Sequence, residues 1–325
     1  MILAVDGGNS KTDVALVAHD GTVVAHARGP LSSPHHLGLD GCLDVLQRLV
    51  EQAGLDGRRA DIAQVLLAGV DFPEEEAELH AALDRRGWAA TTRVGNDTFA
   101  VLRAGTERGW GVAITCGAGI NCVGVAPDGR HVRFPALGPI TGDWGGGFDL
   151  GLEALSAAAR GEDGRGPHTL LERRVPAHFG FDVPSELAHA IHRGQLSERR
   201  LMEVASLVLE VAAADAVAAA IVARLVDEIV AFVRVAAGRL RLEEEVFDVV
   251  LGGGLLQHAE PPVVAAIAQG VHRTAPGAVV RPTAAPAIVG SALLVLDDLG
   301  ADGEAKEKVR RELERETVTI GGRDG

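Results

Sequence analysis

Two glycine loops that echo each other constrain this chain more than any other feature. The first lies in Ile2-Leu3-Ala4-Val5-Asp6-Gly7-Gly8-Asn9-Ser10-Lys11-Thr12, where a short apolar run stops at an aspartate and opens into small and polar residues. The second lies in Gly111-Val112-Ala113-Ile114-Thr115-Cys116-Gly117-Ala118-Gly119-Ile120-Asn121. After each loop an apolar run resumes, meets an Asp-Gly turn (Asp20-Gly21, then Asp128-Gly129) and returns as a further run. Short apolar runs bounded by turn residues read as buried strands, and Asp-Gly between two of them signals a hairpin. The chain is therefore expected to build the same three-strand unit twice, each with a glycine loop at a hairpin tip.

One such loop alone would be explained as an ordinary tight hairpin. Two copies favour a shared task. Glycine lets a ligand approach the backbone, and successive N-H groups can converge into an anion-binding concavity. A pair of such tips could grip a polyphosphate. The P-loop is excluded, because Ser10 rather than glycine precedes Lys11 and a strand rather than a helix follows Thr12. The dinucleotide fingerprint is excluded too, because Cys122 stands where its third glycine would open a helix.

At 325 residues the chain is longer than one hydrophobic core usually organises, so two domains are expected. Aromatic residues make up 3% and tyrosine is absent, which leaves an aliphatic core and no stacking surface for single-stranded nucleic acid. The net charge of -14 opposes attraction to nucleic acid or to anionic membranes. A bound nucleotide would have to be held by local N-H groups and a metal. Cys42, Cys116 and Cys122 form no zinc or disulfide pattern and are expected as buried thiols. Met1 leads directly into a strand, so no signal peptide is expected and the location should be cytoplasmic. The apolar stretch from Ala205 to Leu240 is interrupted by Glu210, Asp215, Arg224, Asp227, Glu228 and Arg234, so it reads as two Ala-rich helices, the second capped by Asp215, rather than a bilayer span.

In chain order, a loop rich in turn formers from Gly29 to Gly38 precedes a helix with Asp40 as its expected N-cap. His35 and His36 are adjacent and lack other ligands at metal spacing, which favours polar loop contacts over a metal. A strand over Val65–Val70 is followed by a helix from Pro73 to about Gly87, then a strand from Ala90 that runs into Asn96-Asp97. Asp97 has two possible roles: a helix N-cap, or a carboxylate at the carboxyl end of a strand, where ligands of α/β sheets collect. The stretch Gly142-Asp143-Trp144-Gly145-Gly146-Gly147 leads to a helix expected over Gly151–Ala159, which would present Asp143 beside a helix start. A strand over Glu245–Leu251 enters Gly252-Gly253-Gly254, a strand, turn and helix corner suited to adenosine. A small-residue helix from Pro286 precedes a solvated charged helix over Glu304–Glu316.

Together these motifs resemble the actin, Hsp70 and sugar-kinase superfamily, and within it the N-acetylglucosamine kinase branch that includes the BadF/BadG-type ATPases. The resemblance runs from Met1 to about Leu299 and is most specific at Asp6–Thr12, Asn96-Asp97, Cys116–Asn121 and Gly142-Asp143. It implies an α/β chain of two ribonuclease H-like (actin-like ATPase) domains with a central interdomain cleft holding ATP and Mg2+. The first domain would comprise residues 1–107, closed by the helix 286–299, and the second 108–285 with a helical insertion at 160–240. A charged tail would follow at 300–325. Asp6 would hold magnesium through water. Gly7, Gly8, Asn9, Ser10, Lys11 and Thr12 with Gly117, Ala118 and Gly119 would embrace the phosphates, and Gly253 and Gly254 would lie against adenosine. Asp97 would be the catalytic base for the sugar's 6-hydroxyl. The sugar side would further draw on Ser33, His35, Asn96, Gly119, Asn121 and Asp143. Phosphoryl transfer is mostly positioning and charge neutralisation, which these residue types supply.

Two departures fall on the sugar side. Ser33 stands before Pro34 where relatives often carry asparagine, and Trp144 replaces the glutamate of a common Gly-Asp-Glu-Gly pattern. The expected substrate is N-acetylglucosamine or glucosamine, and the expected assembly a homodimer. The alternatives are an ATP-driven switch of the BadF type acting on a protein partner, for which the three cysteines are poorly spaced to hold an iron-sulfur cluster, and a sugar sensor without turnover.

Overall fold

The computed structural model describes residues 1–55 and 57–321, with side chains to residue 318; the last part of the expected tail, 322–325, lies outside the described residues. In order, the chain forms β1 (Ile2–Gly7), β2 (Lys11–Val17), β3 (Val23–Pro30), α1 (Pro34–Gln52), β4 (Ala60–Leu67), α2 (Pro73–Arg86), β5 (Ala89–Asn96) and α3 (Thr98–Gly105). There follow β6 (Gly111–Cys116), β7 (Ile120–Val125), β8 (His131–Arg133), α4 (Gly147–Glu162), α5 (Leu171–His178), α6 (Pro184–His192), α7 (Ala205–Val211) and α8 (Ala216–Leu240). The last elements are β9 (Asp248–Gly252), α9 (Gly253–Leu256), α10 (Pro261–His272), β10 (Val279–Pro282), α11 (Ala287–Asp298) and α12 (Gly303–Gly321).

Two five-stranded mixed sheets result, in the orders β3-β2-β1-β4-β5 and β10-β9-β6-β7-β8. The chain divides into two compact units. One comprises Met1–Ala113, Val123–Pro135 and the segment from Thr283 onward; the other comprises Ile114–Cys122 and Ala136–Pro282. Both glycine loops lie at hairpin tips, as their flanking apolar runs and Asp-Gly turns predict.

In the first unit β1 pairs antiparallel with β2 and parallel with β4, and β4 pairs parallel with β5. Alternate residues of one strand serve opposite faces of a sheet. Leu3, Val5, Val14 and Leu16 pack with Leu43 and Leu46 of α1 and Leu79 and Leu83 of α2. Ile2, Ala4, Ala15 and Val17 pack with Ile288, Ala292 and Leu293 of α11 and Val309 and Leu313 of α12. Because both faces are covered, these strands read as unbroken apolar runs. Gly290 lets α11 approach α3, since a Cβ there would lie 1.9 Å from the carbonyl oxygen of Ala100.

Several elements differ from expectation. The first helix begins at Pro34, six residues before Asp40, because proline suits the first helical turn; a kink at Gly38, φ 69°, hides this start from helical periodicity. His35 and His36 therefore lie in a helical turn, exposed, with rings 5.4 Å apart. The helix after the glycine-rich stretch starts at Gly147 rather than Gly151, because Asp149 Oδ2 accepts the N-H groups of Gly145 and Gly146 at 3.0 and 3.3 Å. The C-terminal helix is amphipathic rather than solvated throughout, with Ala305, Val309 and Leu313 buried. Asp215 caps α8 as expected, accepting from Val217 and Ala218 N-H at 2.9 and 2.8 Å. Among the described residues no helix is long and apolar enough to cross a membrane.

Candidate active site

Gly7, Leu67 and Asn96 are neighbours in register, so the carboxyl ends of the three parallel strands β1, β4 and β5 lie side by side. This is the edge at which α/β sheets present ligand-binding groups. Asp6 and the first glycine loop, the segment Ala68–Asp71 and the pair Asn96-Asp97 all leave the sheet there.

The first loop closes through Gly8 N-H donating to the carbonyl of Lys11 at 2.8 Å. Ser10 and Lys11 are exposed. Thr12 is fully buried and donates its hydroxyl to Ser32 Oγ at 2.8 Å, so it supports the loop from below. Asn9 Oδ1 is buried without a hydrogen-bond partner. Burial, then the charges of Asp97 and Asp13, push the carboxyl of the half-buried Asp6 well above the ordinary range. A hard cation would relieve both conditions, and these oxygen donors fit magnesium. Among the described residues no three His, Cys, Asp or Glu side chains form a metal cluster.

Asp13 sits directly across the hairpin from Asp6. It is 1% exposed and is held by His26 Nε2 at 2.9 Å and by Arg28 through Nε at 2.8 Å and Nη2 at 3.1 Å. Burial alone would raise its pKa, but the bonds from His26 and Arg28 outweigh burial and hold it below the usual range. Arg28 Nη1 also donates to the carbonyl of Thr317 in α12 at 3.3 Å.

At the end of β5 the two roles open to Asp97 are divided between neighbours. Asn96 takes the cap, its Oδ1 accepting Thr98 N-H at 2.9 Å. Asp97 makes no side-chain cap bond and remains half-buried at the helix start. Burial, aided by the charge of Asp71, raises its pKa to about 7. A carboxyl group poised near neutrality is suited to proton transfer. Asn96 Nδ2 donates to Asp71 Oδ1 at 2.7 Å. Ser33 is fully buried with Oγ unpartnered, and it lies beside Gly69, where a Cβ would come within 2.8 Å of that oxygen.

The second unit carries its own glycine cradle. Gly117 N-H donates to the carbonyl of Gly119 at 2.9 Å, while the N-H groups of Gly147 and Phe148 hold the carbonyls of Gly117 and Ala118 at 2.8 and 3.1 Å. The strand-to-helix turn at Gly253, φ 82°, presses on Cys116, whose backbone atoms lie 2.4 to 2.7 Å from where a Cβ would stand. Gly117, Gly119 and Gly254 differ, since a Cβ at each would meet nothing within 4 Å. Tight packing explains glycine at 253; at the other three positions the open space admits a ligand against bare backbone. Thr115 Oγ1, just before the loop, is buried and unpartnered. Asn121 Oδ1 accepts the N-H of Cys122 at 2.7 Å, and Asp143 accepts the hydroxyl of Thr141. Trp144 is stacked by the Arg224 guanidinium of α8, 4.0 Å from the ring centroid. All three cysteines are buried and free.

The site residues without a sequence signal are Asp13, His26, Arg28, Ser32, Asp71 and Asp149. All but Asp149, which bonds Gly145 and Gly146 a few residues before it, act through a partner distant in sequence.

Residues 3–295 match the model of the BadF/BadG/BcrA/BcrD ATPase family. An N-acetylmuramic acid/N-acetylglucosamine kinase of Clostridium acetobutylicum is 29% identical over 63% of this chain and 68% of its own length. An N-acetyl-D-glucosamine kinase of Dictyostelium discoideum is 27% identical over 53% of this chain and 58% of its own. The solved structure of a Chromobacterium violaceum protein assigned as an N-acetylglucosamine kinase superposes with a TM-score of 0.68 at 26% identity, over 90% of this chain and 98% of that one. With its two sheet-and-helix units and duplicated glycine hairpins, the chain belongs to the BadF/BadG/BcrA/BcrD ATPase family.

Proposed function

We propose that this protein is an ATP-dependent kinase that phosphorylates the 6-hydroxyl of an amino sugar, N-acetylglucosamine or glucosamine. The observation that carries the reading is Asp97: a half-buried carboxyl group at the ligand edge of a parallel sheet, with its pKa raised to about 7. The names of the two curated relatives, both N-acetylglucosamine kinases, support the substrate class.

In this reading Asp97 orients the acceptor hydroxyl and takes its proton as the oxygen attacks the γ-phosphate. A base of this kind contributes about 10² to 10⁴ in rate. The first loop, Gly7 to Thr12, offers backbone N-H groups and Lys11 to the phosphates. The second, Gly117 to Gly119, and the turn at Gly254 offer bare backbone to the phosphates and adenosine, while Gly253 packs that turn against Cys116. Asp6 would hold magnesium, which when bound neutralises phosphate charge. Ser33, His35, Asn96, Asn121 and Asp143 complete the sugar side, and the chain acts as a cytoplasmic homodimer.

The test is ADP release from purified protein given ATP, magnesium and a panel of hexoses. Release stimulated by N-acetylglucosamine or glucosamine, with the product carrying phosphate at position 6, is expected. Equal ATP turnover with and without every amino sugar would overturn the reading.

A further inference from the structure

We propose that Asp71 is a second substrate-binding carboxylate, which accepts a hydrogen bond from a hydroxyl or N-H group of the acceptor sugar next to the one that Asp97 handles. This rests on the kinase reading above and adds a residue to the same site.

The argument starts from register. Asp71 follows β4, the strand between those that deliver Asp6 and Asp97, so it leaves the sheet at the same edge. Its backbone is fixed from three directions. Asp71 N-H donates to Glu75 Oε2 at 2.7 Å, and Phe72 N-H donates to the same oxygen at 3.0 Å. The carbonyl of Val70 accepts from Arg133 Nη2 at 2.7 Å, and Arg133 also pairs with Glu76. Gly69, in the left-handed region at φ 77°, brings the loop against Ser33 and His35 at a distance no side chain would allow.

The carboxylate itself is aimed by Asn96, whose amide is committed at both ends: Nδ2 donates to Asp71 Oδ1 at 2.7 Å and Oδ1 accepts Thr98 N-H at 2.9 Å. Asn96 is 3% exposed, so it serves the sugar by orienting Asp71 and the start of α3. After burial, the charge of Asp71 is the next cause that raises the pKa of Asp97, so the two carboxyl groups repel when both ionise. Such arrangements persist where they serve ligand or chemistry. Ser33 Oγ points to a ligand independently: it is a fully buried hydroxyl left without a partner, against the same loop. A sugar, with hydroxyls that both donate and accept, is the class of molecule that could engage a carboxylate, a carboxyl base and a lone serine together.

The experiment pairs Asp71→Asn with sugar analogues that lack one hydroxyl or carry a free or acetylated amine. The expected result is a rise of at least tenfold in the sugar KM, a smaller fall in kcat and an unchanged KM for ATP. One analogue should be equally poor with wild type and variant, which identifies the group that Asp71 holds. Asp71→Ser, with a smaller side chain, is the second variant should the first not fold. Unchanged sugar KM, or the same fold-loss for every analogue, overturns the proposal. Should wild type show no sugar-dependent ADP release, the kinase reading falls separately, and Asp71 is then judged by calorimetry with N-acetylglucosamine and glucosamine. At least tenfold weaker binding by the variant upholds it; equal binding, or none by wild type, overturns it.

Discussion

Asp6 and Asp13 face each other as direct cross-strand partners on the first hairpin, two carboxylates where a sheet ordinarily avoids like charges. The arrangement is tolerated because His26 and Arg28 close around Asp13 from β3. Asp13 thereby keeps its negative charge in the interior, while Asp6 is left at the mouth of the loop with its carboxyl pushed upward.

Arg28→Ala should therefore destabilise the protein by about 3 kcal/mol at neutral pH, because removing one partner strands a buried charge. The pKa of Asp13 is lowered in the folded state, so its contribution is present above the ordinary carboxylate range and fades on acidification. The deficit of the variant, measured by urea denaturation, should shrink as pH falls below about 4.

Asp97→Asn should lower kcat by about 10² to 10⁴. It should also make the fold more stable at pH 8. The folded pKa of about 7 lies above the ordinary value of 3.8, so the protonated form is favoured by folding, and stability is lost as pH rises toward 7. Asparagine escapes this loss, and a gain on the order of 1 kcal/mol, about 1 to 3 °C in Tm, is expected at pH 8 and none near pH 4. Thermal melts across this range check the sign.

In wild type the same titration should shape catalysis. The kcat/KM for sugar is expected to rise with unit slope below about pH 7 and level off above it, since it reports the free protein. Asp97→Asn should remove this limb. Retention of the limb in the variant would assign it to another group.

The glycines of the second unit separate packing from ligand approach. Gly146→Ala places a methyl group 2.2 Å from the backbone of Ala118 and Gly119 and should lower Tm sharply. Gly119→Ala meets nothing within 4 Å, so stability should stay within about 0.5 kcal/mol of wild type while the KM for ATP rises. Melting curves and ATP titrations on both variants provide the comparison.

Much of this organisation is legible in the chain because it is local. Apolar runs, Asp-Gly turns and glycine loops sit within ten residues of one another, and both hairpins follow from them. Asp97 stands out because it ends a strand and begins a helix. What escapes depends on distant partners. Nothing near Asp13 announces Arg28, and nothing near Asp71 announces Asn96, twenty-five positions away. The edge strand β10 is four residues long and mostly exposed, so it lacks the burial pattern by which strands are recognised. The inward stripe of α12 is diluted by charge, and only its packing on Ile288 and Leu293 reveals Val309 and Leu313 as core.

Leu313→Ala should accordingly cost about 2 to 5 kcal/mol, as for other buried leucines, although it lies in a segment rich in charge. Denaturant titration checks this value.

The cover of the first sheet by α11 and α12 has a consequence for biosynthesis. Ile2, Ala4, Ala15 and Val17 are translated well before the helices that cover them. A nascent chain must therefore carry a bare aliphatic face from the synthesis of β2 until α11 emerges, and the segments of the second unit emerge completely before that face finds its lid. Chaperone capture should concentrate on the amino-terminal strands, and release should await the closing helices.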